Sequence, residues 1–551
     1  MDSTSTKLRI LLGVVIFVFV ARIAATYPVF SNIVDSPWHI AAGLDYLRTG
    51  DYDYEPQHPP LGRLAVAVLP YFVEDLKLGP FDDVWSGDWV KKDLGFYWST
   101  LTLARVGNLP FAVLLLLVTF LWTRELFGPR AGVVAALLVS CSPNLLAHAG
   151  VAALDIATAS TFVAACYAIW LWSRTRGWRD CLLAAVAVSA AFLTKFSTLG
   201  FLPPVFITYT LLARARDFRA GLMSKQALVQ FSAFVALVIA LCWGAYGFDY
   251  GKIAGPDTAY WSDGSPASPG SLKESATAFL GDAQIPAPMF WRGLIDVMRH
   301  NREGHRAYLF GDISQEGWWY YFPVVLAVKT SLPLLILAVI GAVQVSRRRA
   351  AADSPLFVLV LPVAVVLGTS MTANINIGVR HILPLYPFLT MLAAYPLRGS
   401  EPLFRPLRRV MTLFSLLLVW HVAESVAVHP DYLAYFNQTA RGRETRILAD
   451  SNVDWGQDLA RIARFQQQRR LAAIFVAYTG YKHAAKFGIT HGFLPPGHPQ
   501  CCWVAAGVNQ LTGILAPDMS HLAGRRPTAR IGGSIYVYKM RPDEVYSPGQ
   551  R

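Results

Sequence analysis

The run LRILLGVVIFVFVARIAATYPVF (8–30) passes directly into SNIVDSPWHIAAGLDYLRTGDYDYEPQHPPLGRL (31–64). The first part is long enough to cross a bilayer, for which about 20 mostly apolar residues suffice. It is too long for a removable signal peptide, and no small-residue cleavage site is followed by a polar start. Asp35 therefore sits a few residues beyond the exit of a membrane helix. A carboxylate at that depth is costly unless paired or wetted, so it marks a functional site by default. Its chemical use is that of a general base, taking a proton from an attacking hydroxyl. The plainer alternative is an N-cap, since Asp-x-Pro opens helices well. His58-Pro59-Pro60 reads as a stiff extended turn.

Ten further apolar runs follow, at 106–123, 131–149, 153–173, 181–194, 197–213, 227–247, 319–345, 355–372, 382–397 and 409–428. The composition agrees. Hydrophobic residues make up 54% of the 551 and charged residues 15%, against about 25% charged in a soluble chain. Mean hydropathy is +0.37. An ordinary soluble domain and a disordered chain are both excluded. The net charge of +13 does not point to nucleic acid, because much of it lies in short loops between apolar runs.

With the N-terminus in the cytoplasm, alternate loops carry clusters such as Arg174, Arg176 and Arg179, Arg214, Arg216 and Arg219, and Arg347, Arg348 and Arg349. The short loops on the other side hold only Lys195 and Arg380. That asymmetry fixes the expected orientation, and it leaves Lys195 and Arg380 as cations no topological rule asks for. The expected architecture is a polytopic α-helical membrane module over 1–428, with about 11 transmembrane helices and outer loops 31–105 and 248–318. A small extracytoplasmic α/β domain follows over 429–551. In that tail RILADSN (446–452) and AAIFVAYTG (472–480) read as strands joined by the helical GQDLARIARFQQQRR (456–470), implying a parallel pair. CCWVAAGV (501–508) and SIYVYKM (534–540) are further strand candidates. Four cysteines fall in apolar runs. Cys501 and Cys502 are neighbours, between which a bridge is strained, so no disulfide framework is expected.

The first outer loop, with Asp35, His39, Tyr46-Leu47, Thr49-Gly50-Asp51, His58-Pro59-Pro60-Leu61 and Arg63, resembles that of the polyprenyl-phosphate-dependent glycosyltransferases of the GT-C fold. Within them it is most similar to the dolichyl-phosphate-mannose–protein mannosyltransferase-like group and its bacterial relatives. Ser36 stands where the group usually has a second acid, so a divalent metal is possible but lacks a complete acidic pair, and no metal ligand is assigned. The likeness continues through Asp155 in ALDI (153–156), Lys195 in LTKFS (193–197), GHRAYLFG…GWWYYFP (304–323) with Trp318 and Trp319, Arg380 and His381 in GVRHILP (378–384), YLAYFN (432–437) and DSNVDWGQDL (450–459).

The resemblance implies a multi-pass enzyme of the bacterial inner membrane. It would move a sugar from a polyprenyl phosphate to an extracytoplasmic protein, lipid or glycan. A phosphate leaving group needs fixed cations, for which Lys195, Arg380, Arg63 and Arg105 are candidates. His39, His58, Asp155, His381, Trp318, Trp319, Asp450, Asn452, Asp454 and Trp455 are candidates for holding donor or acceptor. Several have a plainer reading. Asp155 suits a helix N-terminus, the tryptophans an interfacial belt, and Ser451, Asn452 or Asp454 a helix cap. Asn437-Gln438-Thr439 matches a glycosylation acceptor, a short and frequent pattern. A single displacement from Asp35 inverts the sugar, whereas retention needs a second close carboxylate. A transporter or lipid flippase is the rival, though no repeated halves are evident. A catalytically dead scaffold is a third reading.

Overall fold

A computed structural model describes residues 3–52, 54–73, 94–215, 225–253, 284–347, 355–398, 406–495 and 497–545. Parts of both outer loops (74–93 and 254–283) and the inside cations Arg216, Arg219, Arg348, Arg349 and Arg405 lie outside them. Every one of the eleven apolar runs falls on helix. Among the described residues three helices are by themselves long and apolar enough to span: Tyr97–Phe127, Asp155–Thr175 and Lys225–Gly244. The number rises to five if two bent pairs each count as one.

Those bent pairs correct the expectation of unbroken helices at 131–149 and 319–345. Pro129–Ser140 meets Pro143–Ala149 at 64°, and Tyr321–Lys329 meets Leu332–Ser346 at 110°. Pro143 and Pro333 lie in the first turn of each second half. Proline lacks the N–H that would continue the preceding helix. Freed backbone groups in an apolar region need partners, and buried asparagines supply them. Asn144 Nδ2 donates to the Lys329 carbonyl at 2.7 Å. Asn437 Nδ2 donates to the carbonyls of Ala327 and Thr330, so the Asn437 side chain is built into the core rather than offered for glycosylation. Close helix contacts rest on glycine: a methyl at Gly341 would lie 1.8 Å from the Leu392 carbonyl oxygen.

Two arginines expected at a phosphate are built into the frame instead. Arg105 is 1% exposed. Its guanidinium donates to the carbonyls of Tyr27 (2.8 Å), Phe30 (3.0 Å) and Ser31 (2.9 Å). Arg63 is fully buried and bonds Glu55 through both carboxylate and carbonyl, with Tyr52 Oη at 3.2 Å. Arg105 thus holds the chain leaving the first helix, which carries Asp35, and Arg63 holds the segment after the helix Ser36–Thr49.

The tail contains a four-stranded sheet in the order Phe475–Ala477, Trp503–Gly507, Ile535–Lys539, Ala529–Ile531. The first pair is parallel and the others antiparallel. The helix Leu459–Gln468 buries Leu459, Ile462 and Ala463. RILADSN, however, is not a strand. It forms a short helix, Glu444–Ile447, and a 3-10 turn, Asp450–Asn452, so the parallel partner of 475–477 is 503–507 instead. The cause is local. Asp450 has φ +57°, outside strand geometry. Ser451 Oγ donates to the Ile377 carbonyl at 2.6 Å, and Asn452 Oδ1 accepts from Val379 N–H at 3.0 Å. Lys329, buried, donates to the carbonyls of Leu433 and Asn452. The tail thus grips the 3-10 helix Val379–Leu385. Cys501 and Cys502 form a disulfide, correcting the expectation of none.

Candidate active site

Asp35 does stand immediately before the helix Ser36–Thr49, but its side chain makes no cap bond. Its Oδ2 accepts from Arg380 Nη1 at 2.5 Å. The main chain starts the helix, with Pro37 in its first turn, and the carboxylate is left for Arg380. A second pair lies beside it: Asp155 Oδ1 accepts from Lys195 Nζ at 2.9 Å, and Asp155 Oδ2 lies 3.6 Å from His148 Nδ1. Asp155 opens the helix Asp155–Thr175 without capping it. The two cations singled out by topology each hold one acid, Arg380 holding Asp35, singled out by depth, and Lys195 holding Asp155, singled out by the resemblance. The pairs differ in access, since Asp35 is 29% exposed and Asp155 only 3%.

Trp455 joins them. Arg380 Cζ lies 4.5 Å from the centre of its indole, and the His148 ring lies 5.8 Å from it. His39 and His58 pack edge to face at 5.2 Å. His39 is buried and its Nδ1 has no partner among the described residues. Burial, followed by the Lys195 charge, brings the His58 pKa down to about 4, so this ring is neutral at pH 7. His381 packs its ring 6.0 Å from Phe322, and its Nε2 has no partner among the described residues. Among the described residues no group of three or more His, Cys, Asp or Glu side chains is placed to hold a metal ion.

The remaining candidates divide. Asp450 lies close enough to feel both Arg380 and Asp35. Burial raises its pKa to about 6, against the lowering pull of Arg380. Asn452 is committed to Val379, Tyr321 and Ala449. Trp318 donates its main-chain N–H to Asn376 Oδ1 at 2.8 Å, and Trp319 is 68% exposed. Neither tryptophan is a partner of the two ion pairs among the described residues. No cap of the helix at Leu459 comes from Ser451, Asn452 or Asp454; its N-cap is Asp458, without a side-chain cap bond.

Three contributors were missed. His148 sits in an apolar run. Glu55 lies among turn residues. His305 stands in the loop read for its aromatics. It stacks on His300 at 5.5 Å, and burial together with the Arg380 charge lowers its pKa.

Asp454 is internal to the tail. It accepts from Gly456 N–H at 3.2 Å, and its Oδ2 has no partner among the described residues. Burial, with Asp458 adding to it, raises its pKa to about 7. The folded chain holds this proton more tightly than the unfolded one. Asp454 therefore supports the fold fully below about pH 4, and that support is lost as pH rises through about 7. Thermal unfolding of wild type and Asp454→Asn between pH 4 and 8 checks this. The wild type should lose stability relative to the variant as pH rises, and parallel curves would refute it.

Residues 99–244 match the family model described as dolichyl-phosphate-mannose-protein mannosyltransferase. Among solved structures, ArnT from Cupriavidus metallidurans in the apo state aligns over 98% of this chain and 99% of its own, with 13% identity and a TM-score of 0.51. This chain has the GT-C fold. Oligosaccharyltransferase AglB from Archaeoglobus fulgidus aligns over 98% of this chain and 75% of its own, with 11% identity and a TM-score of 0.48. No curated protein sequence matches. The family match over residues 99–244 indicates a glycosyltransferase that uses a lipid-linked sugar, and the ArnT alignment shows the fold alone. The matched segment contains His148, Asp155 and Lys195; Asp35, Arg380 and Trp455 lie outside it.

Proposed function

We propose that this protein transfers a sugar from a polyprenyl-phosphate donor to an extracytoplasmic acceptor with inversion, Asp35 acting as general base. The reading rests on the two carboxylate–cation pairs that share the Trp455 wall and differ in access. Asp35 is open enough to meet an acceptor, whereas Asp155 is buried against Lys195 and His148. The dolichyl-phosphate-mannose named in the matched family supports a lipid-phosphate donor.

The acceptor hydroxyl gives its proton to Asp35 and its oxygen attacks the anomeric carbon. The bond from that carbon to the phosphate oxygen breaks, and the polyprenyl phosphate leaves with the electron pair. Arg380 and Lys195 meet the charge that builds on that oxygen. Arg380 suits the task because its recorded hydrogen bond among the described residues is to Asp35 alone, which leaves donors of its fork free for phosphate. A phosphate that competes for Arg380 also releases Asp35 to work as a base.

The loop-charge asymmetry supports a protein that crosses the bacterial cytoplasmic membrane about 11 times with its N-terminus inside. The module 1–428 then carries the donor, and the unit 429–551 lies on the outer face. Purified protein given a labelled polyprenyl-phosphate sugar and a membrane or envelope acceptor fraction tests the reading. Transfer should release polyprenyl phosphate and give a product of opposite anomeric configuration. Retention of configuration would overturn the single displacement, and uptake into sealed vesicles without covalent transfer would overturn the enzyme.

A further inference from the structure

The tail does more than lie beside the membrane module, because one of its residues touches Arg380 and also holds the residue that precedes Asp35. Trp455 is 4% exposed. Its ring underlies the Arg380 guanidinium. Its carbonyl accepts from Val34 N–H at 3.0 Å, one residue before Asp35. The same edge continues outward. Gln457 accepts from Ser31 N–H at 2.8 Å, Ser31 Oγ accepts from Leu459 N–H at 3.1 Å, and Gln457 Oε1 accepts from Trp455 N–H at 2.7 Å. Residues 31–34 are thus laced to 455–459, and the indole follows from that lacing.

The surroundings say what the ring is for. Arg380 Nε is buried and has no partner among the described residues. Asp35 stabilises the guanidinium charge at the cost of one N–H, so the rest of the fork stays open only where the charge is also supported without consuming N–H groups. An aromatic face does this, and a carboxylate does not. Asp450 and Asp155 both lie near enough to pull on Arg380. Without the indole the guanidinium can turn onto one of them, and the anion site closes. The ring also meets His148, the neighbour of Asp155, so one residue borders both pairs.

We propose that Trp455 is a positioning residue that keeps Arg380 open for the donor phosphate, and that the C-terminal unit thereby completes the catalytic site. This rests on the reading of Asp35 and Arg380 given above. It replaces the expectation that Trp455 itself binds donor or acceptor.

The test compares Trp455→Leu and Trp455→Phe in the full-length protein, with labelled polyprenyl-phosphate sugar as probe. The Leu variant keeps apolar bulk but has no π face. Its donor KM should rise roughly tenfold to thirtyfold, the size of a desolvated cation–π contact, with kcat changed less than KM. The Phe variant should stay within about threefold of wild type. If the Leu variant does not fold, Trp455→Met, flexible enough to refill the space, is read in the same way. Equal donor KM in the aromatic and non-aromatic variants would overturn the proposal, whether both are unchanged or both are raised. Asp35→Asn separates the two claims. If it stays active, the reading of the site fails. If it is inactive while the Leu variant keeps a normal donor KM, only the role of Trp455 fails.

Discussion

Asp35→Asn should lower kcat by roughly a hundredfold to ten-thousandfold, the usual contribution of a positioned general base, without raising the donor KM. The amide keeps the shape of the carboxylate and can still accept from Arg380 Nη1, now 2.5 Å from Asp35 Oδ2. What it loses is the capacity to take the acceptor's proton. Donor binding should not weaken, because Arg380 loses a competing anion when the carboxylate goes. The fold should barely notice, since Asp35 is 29% exposed and makes no side-chain cap bond. Partly exposed pairs contribute little to stability. Initial rates at varied donor, together with a thermal unfolding curve, decide it. A loss of activity explained by a higher donor KM would make Asp35 a binding group rather than the base.

Why Asp35, Lys195 and Arg380 were legible is instructive. Each breaks a rule that applies locally. An acid follows directly on an apolar run, and two cations stand in loops where the charge pattern wants none. The structure pairs Arg380 with Asp35 and Lys195 with Asp155, which satisfies polar groups kept at a membrane surface. The parts that were not legible depend on distance along the chain or on details below the resolution of a hydropathy window. Pro143 and Pro333 were visible as letters, but an average over an apolar run does not register a 64° or 110° bend. DSNVDWGQDL was noticed, but its role as a clamp depends on Val379, Ile377 and Val34, all far away in sequence. RILADSN has a strand-like start, and only the left-handed Asp450 and the tertiary hydrogen bonds of Ser451 and Asn452 turn it away from the sheet. Tertiary contacts overrode local propensity there, as they often do for short segments.

Arg105 shows the limit most sharply, because as a residue type it is indistinguishable from Arg380. One keeps open donors above an aromatic ring; the other spends its fork on the carbonyls of Tyr27, Phe30 and Ser31. Arg105→Met should therefore act on stability, not on donor recognition. Truncation leaves three carbonyls without these partners at the exit of the first helix. Each unsatisfied buried group costs about 1–3 kcal/mol, so the three carbonyls together make the loss large. Arg105→Lys should rescue little of this. A single ammonium on a flexible stem does not reproduce the planar fork that spans Nη1 and Nη2. Thermal unfolding in detergent should show both variants strongly destabilised. Whatever fraction remains folded at low temperature should bind donor with a near-normal KM. The opposite pattern, a stable protein with a raised donor KM, would return Arg105 to the phosphate and require the segment 27–31 that leads to Asp35 to be held by some other means.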